Sequence, residues 1–178
     1  MKKILVLFVS AGMLLFSSCN SLGPTEKLEE DVALKNATMV KSFKAHLSGD
    51  QEVPPVETNA TGQAIFKLSK DGMELHFKLI VANINDVRMA HIHLAPVGVN
   101  GGVVVWLFPA GPPPGLIEGK TNGILAEGVI TAENLTGDLA EKTLDDLISE
   151  LEAGNAYVNV HTVANGGGEI RGQISSNN

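Results

Sequence analysis

Three histidines hold the most specific chemistry in this sequence. His91 and His93 stand two apart in an alternating run, Ala90-His91-Ile92-His93-Leu94. On a strand, residues two apart share a face, so both imidazoles point one way and Ile92 the other. His161 closes a second alternating run, in which Tyr157, Asn159 and His161 share one face and Val158 and Val160 the other. If the two strands adjoin, three imidazoles converge. That donor set suits zinc or copper and leaves one position open for water. The competing reading is a hydrogen-bonded cluster that satisfies buried polar groups. A single His-x-His is a weak motif, so spacing alone favours the structural cluster over the metal. Glu169 and Arg171 also share a strand face. Their favoured use is an ion pair bridging strands or reaching behind the histidines, ahead of an arginine fork onto a carboxylate ligand.

Other chemistry is absent or bland. There is no G-x-S-x-G elbow and no phosphate loop. Asp145 and Asp146 are neighbours on a helix and do not share a face. Glu52 opens Glu52-Val53-Pro54-Pro55, a stiff connection in which its carboxylate is expected to accept backbone N–H bonds. Trp106 lies in an apolar run and reads as core. The net charge is −7 with no basic cluster. This argues against nucleic acid, because phosphate binding runs on Lys and Arg.

The elements that must position these residues are short strands. Ala64–Ser69, Glu74–Ala82, Arg88–Ala95, Val103–Phe108, Gly123–Thr131, Ala156–Thr162 and Glu169–Ser175 alternate or run apolar between turn signals. Asp71-Gly72 marks a hairpin. Pro109 to Gly115 reads as a rigid loop, since prolines lack ladder donors. Thr143 to Ala153 reads as one amphipathic helix. Thr143 caps it with Asp146 three residues on, Leu144, Leu147, Ile148 and Leu151 line one face, and Gly154 stops it. The fold class is mainly β, a sandwich or barrel with one short helix.

The N-terminus carries an address. Lys2 and Lys3 precede an apolar run from Ile4 to Phe16, then Ser17, Ser18 and Cys19, the only cysteine. This is signal-peptide architecture, too short for a spanning helix. Phe-Ser-Ser-Cys resembles the lipobox of bacterial lipoproteins, although Phe16 stands where Leu is usual. The resemblance implies cleavage before Cys19 and lipidation of its thiol, which would consume a cysteine that has no disulfide partner. Residues 1–18 are then the signal, 19–41 a lipidated tether and 42–176 one domain. Cleavage makes the chain two charges more acidic, so the anchor is the evident membrane contact.

Four stretches resemble the CHRD domain, the chordin-type module also found singly in bacterial exported proteins. They are AHLSGDQEVPPVETNATGQAIF from Ala45, AHIHLAPVGVNGGVVVWLF from Ala90, TLDDLISELEAGNAYVNVHT from Thr143 and NGGGEIRGQI from Asn165. Together they cover nearly all of the domain in the family's order. Two departures are Leu94-Ala95-Pro96-Val97-Gly98, where a Gly usually comes sooner, and Gly166-Gly167, where a proline is common. The resemblance implies a Greek-key, immunoglobulin-like or superoxide-dismutase-like β-sandwich. Fold does not fix function. The expectation is a non-enzymatic binding or structural module of the bacterial cell envelope, its partner an unidentified protein or small ligand. The alternative is a Cu/Zn metalloprotein with superoxide-dismutase-like chemistry at His91, His93 and His161, an arrangement similar to the copper side of those enzymes.

Overall fold

The computed structural model describes residues 41–177. Cys19, the signal and the tether up to residue 40 lie outside the described residues. The elements are β1 (Ser42–Ser48), β2 (Thr61–Leu68), β3 (Leu75–Leu94), β4 (Gly102–Phe108), β5 (Ile117–Ile130), α1 (Leu144–Glu152), β6 (Ala156–Thr162), β7 (Ile170–Gln173) and β8 (Ser175–Ser176). The architecture is the expected β-sandwich or barrel with one helix. No helix of the described residues is long and apolar enough to cross a membrane.

The sheet turns around β3. Its first half pairs with β2 on one side and β5 on the other, and its second half pairs with β6 and β4. From β6 the order runs through β7 and β1 back to β2, which closes the ring. Asp71-Gly72 makes the β2–β3 hairpin turn, with the Gly72 N–H donating to Ser69 O at 3.0 Å and φ +74°. Only glycine takes that angle without strain.

Glu74–Ala82 and Arg88–Ala95 are not two strands, as the alternation suggests, but parts of one. Its register with β5 shifts between Leu79 and Ile80, between Val81 and Ile84 and between Asn85 and Val87. Asn83 and Asp86 adopt positive φ there, 56° and 50°. Short polar side chains tolerate this, and bulges bend a strand without ending it. Asp86 Oδ1 accepts from Gly119 N at 2.7 Å, and Asn122 Oδ1 accepts from Asn83 N at 2.8 Å, so β5 braces the bend. For that reason β5 also begins earlier than expected, at Ile117 rather than Gly123. At the C-terminal end Glu169 precedes β7 instead of opening it, and Ile174 separates β7 from β8.

The apolar core lies inside the ring. Phe43, Phe66, Leu75, Leu79, Ile84, Ile92, Val105, Val158, Val160 and Ile170 are all buried in it. The helix adds Leu144, Leu147, Ile148 and Leu151 to the same core. Its start is a capping box: Asp146 N–H donates to Thr143 Oγ1 at 3.3 Å, and Thr143 N–H donates to Asp146 Oδ2 at 2.8 Å.

Strand β6 is buried along both faces, all seven residues of it. One face meets the apolar core. The other is roofed by three loops, 49–60, 95–101 and 163–169, which enclose a second, polar core. Register places the functional candidates in it. Directly opposed residues of an antiparallel pair share a face. Trp106 opposes His91, His91 opposes Asn159, Asn159 opposes Arg171, and Arg171 opposes Ser48. One polar row therefore crosses four strand boundaries.

Candidate metal centre

Strands β3 and β6 adjoin, so the condition on which the three histidines depended is met. His93 faces Tyr157 and Met89 faces His161 across the ladder. The ring centroids of His91, His93 and His161 lie 5.0 to 5.7 Å apart. All three are buried, at 3%, 8% and 5% exposure. Each offers one nitrogen within 4.8 Å of the other two. A metal at about 2.0 to 2.1 Å from each nitrogen requires the widest of these separations to close to about 4 Å or less.

Hydrogen bonds decide which nitrogens are free. His93 Nδ1 lies 3.0 Å from Gly101 O, and His161 Nδ1 lies 3.1 Å from Gly166 O. A carbonyl only accepts, so each Nδ1 carries the proton and each Nε2 keeps its lone pair. His161 Nε2 faces His91 Nδ1 at 3.2 Å; in the metal-free cluster His91 donates there, and a metal held by His161 Nε2 would take the place of this hydrogen bond. The Nε2 atoms of His91 and His93 are buried without a hydrogen-bond partner among the described residues. Second-sphere carbonyls that fix the tautomer are a recurrent feature of metal-bound histidine.

Burial acts first on the protonation of these rings. It pushes His91 down to about 3, helped by the positive charge His161 and His93 would carry. It pushes His161 down to about 4, with His93 adding to the effect. His93 is lowered by burial, and by the Arg171 guanidinium, against the pull of its bond to Gly101. The rings are neutral at physiological pH, the state that ligates.

Aromatic neighbours hold them. Tyr157 stacks on His93 at 4.9 Å with 11° between planes, and Trp106 meets His91 edge to face at 4.3 Å. Trp106 is therefore half-buried against the cluster, not part of the apolar core as its run suggested. Arg171 does not pair with Glu169. Its guanidinium lies 3.4 Å from the Tyr157 ring centroid and donates to Val99 O at 2.9 Å, Asn100 Oδ1 at 3.2 Å and Pro96 O at 3.3 Å. It thus clamps loop 95–101, which carries the Gly101 carbonyl. Tyr157 Oη accepts from Gly101 N at 3.1 Å and tightens the same loop.

Glu169 turns the other way because it sits ahead of the strand. Its two oxygens accept from Thr58 Oγ1 and Thr162 Oγ1, each at 2.7 Å. That fastens loop 163–169, which carries the Gly166 carbonyl. The two residues therefore do not pair with each other; each fastens one of the loops whose carbonyl meets a histidine. Among the described residues the ion pairs are Lys41–Glu152, Glu74–His76 and Lys78–Glu127, all exposed.

Glu52 and Asn159 are the functional neighbours that spacing did not single out as a pair. Glu52 is 5% exposed and accepts from Asn159 Nδ2 at 3.3 Å. Burial raises its carboxyl to about 7, against the Asn159 hydrogen bond and the Arg171 charge. Glu52 Oε1 and Asn159 Oδ1 have no partner among the described residues. Both lie beside Gly168, at φ +131°, where any Cβ would collide with them. A proton on Glu52 supplies the donor that two acceptor oxygens lack. Asn159 was visible only as a member of the His161 face.

No curated protein and no solved structure matches the chain. The family model of the CHRD domain matches residues 43–174, from the first core phenylalanine to Ile174 just past β7. That span contains the whole polar core, and the chain belongs to the CHRD domain family.

Proposed function

We propose that this CHRD protein is a lipid-anchored binding module of the cell envelope, and that what it binds is a transition metal, copper or zinc. The observation that supports this most is the inward Nε2 of His93. It is buried, deprotonated and unpartnered, while its Nδ1–H is spent on Gly101 O. A purely structural cluster gains nothing from an orphaned buried acceptor, which costs about 1 to 3 kcal/mol. A metal-binding cluster needs it. His91, His93 and His161 would hold the ion, and Tyr157, Arg171 and Glu169 would keep the rings in place. The metal would supply Lewis acidity and, if copper, a redox centre.

Trp106 is the chain's single tryptophan and touches His91. Titrating the full chain with Cu(II) should quench its fluorescence with an endpoint at one ion per chain. Elemental analysis after desalting should find the same ratio. His93→Gln should abolish both. If wild type retains no stoichiometric copper or zinc, the metal reading is wrong.

Anchoring rests on the Phe16-Ser17-Ser18-Cys19 motif. Cys19→Ala should abolish fatty-acid labelling and move the protein out of the membrane fraction. Unchanged fractionation would count decisively against a lipid anchor.

A further inference from the structure

We infer that the histidine cluster is built for the monovalent cuprous ion rather than for a divalent metal. This refines the metal-binding reading above and rests on it.

The argument is one of charge. The three donors are neutral imidazoles, so an ion brings its whole charge into the site. The rings are 3 to 8% exposed. Desolvation of an ion grows with the square of its charge, so a dication costs about four times what a monocation does. Metal sites usually soften this with an anionic ligand, or with a carboxylate behind the imidazole. Here the N–H groups of His93 and His161 end on the backbone carbonyls of Gly101 and Gly166, and that of His91 faces His161, so none ends on a carboxylate. The two buried carboxyls of the polar core are turned to other partners, Glu169 to two threonine hydroxyls and Glu52 to Asn159, and neither joins the histidine donor set.

The fixed charge closest in the stack has the wrong sign for a dication. Arg171 is 2% exposed, lies over Tyr157, and Tyr157 lies over His93. A guanidinium stays protonated, so this repulsion is permanent and scales with the charge of the metal. Donor number points the same way. Zinc takes four ligands, and its fourth would have to be water or a substrate in a roofed pocket. A closed-shell monocation is content with three. Sulfur donors usually select Cu(I) by softness; the selection here is by charge.

The test uses the full chain in detergent under argon. Cu(I), supplied as its acetonitrile complex, is competed against bicinchoninate, and Zn(II) against a chromophoric zinc chelator. One Cu(I) should bind per chain, on the order of a hundredfold more tightly than Zn(II), and His93→Gln should lose it. Arg171→Gln should narrow the preference by about tenfold, because removing a fixed cation helps the dication more. Zn(II) binding as tightly as Cu(I), or tighter, overturns the cuprous inference and leaves the metal reading standing. A folded Arg171→Gln protein with an unchanged preference overturns the charge argument. If that variant does not fold, the wild-type ratio decides alone. Binding of neither metal ends both readings.

Discussion

The free energy of unfolding of the metal-free protein should fall by at least roughly 2 kcal/mol between pH 6.5 and 4.5. His91 is pushed down to about 3 and His161 to about 4, and His93 is also lowered, chiefly by burial. The unfolded chain takes up these protons near the ordinary value of 6.5 and the folded chain does not. Each ring's contribution is therefore present above 6.5 and is lost as pH falls toward its folded value, at about 1.4 kcal/mol per pH unit. Glu52 acts oppositely. Its folded value of about 7 lies above the ordinary 4.5, so its contribution is fully present below 4.5 and is lost as pH rises through 7. In the window between, it offsets one ring. His91 and His161 against Glu52 leave a net one proton, about 1.4 kcal/mol per pH unit, to which His93 adds, against a total stability of about 5 to 15 kcal/mol for a domain.

Urea unfolding at pH 7, 6 and 5 measures this. His93→Gln should make the slope shallower. Glu52→Gln keeps an amide partner for Asn159 and should do two things: steepen the acid limb, and make the protein more stable than wild type at pH 8. A flat wild-type profile from pH 7 to 5 would show that the rings are solvated.

What could be read from residues alone was what depends on neighbours in the chain. The common face of His91 and His93 follows from two-residue spacing. The helix face of Leu144, Leu147, Ile148 and Leu151 follows from the 3.6-residue period, and the Asp71-Gly72 turn from one backbone angle. Long-range facts were not legible. Nothing local says that β3 runs on through Asn83 and Asp86, because the brace comes from Gly119 and Asn122 on another strand. The Glu169–Arg171 pair failed for a related reason. Their spacing fits a shared face only if both lie in the strand, and the strand begins between them at Ile170. Of the partners that then captured them, Thr58 and the carbonyls of Pro96 and Val99 belong to loops far away in sequence, and Thr162 ends β6 just across the 163–169 loop. Trp106 was misjudged because an apolar run on both faces does not reveal that one face meets a polar second core.

A saturating metal should raise the melting temperature by roughly 8 °C, and this shift should survive acidification to pH 5.5. An ion that binds only the folded chain adds about 2.7 kcal/mol at a hundredfold excess over Kd, which for a domain of this size is a shift of that order. The pH dependence is the sharper half of the expectation. Protons compete with a metal for the same nitrogens, so an exposed three-histidine site loses affinity as pH falls below about 6.5. Here burial has already driven His91 and His161 to about 3 and 4. The folded protein therefore presents neutral rings throughout the range in which ordinary imidazoles are charged. Its apparent metal affinity should fall much less between pH 7 and 5.5 than that of an exposed three-histidine site. The stability of the metal-free protein meanwhile drops across that range, so the metal-bound form becomes relatively more protected as acid is added. Calorimetric scans at pH 7 and 5.5, with and without metal, separate these effects. A shift present at pH 7 and gone at 5.5 would mean that the rings bind metal but are solvated enough to take protons. The roof formed by loops 95–101 and 163–169 would then have to open in solution.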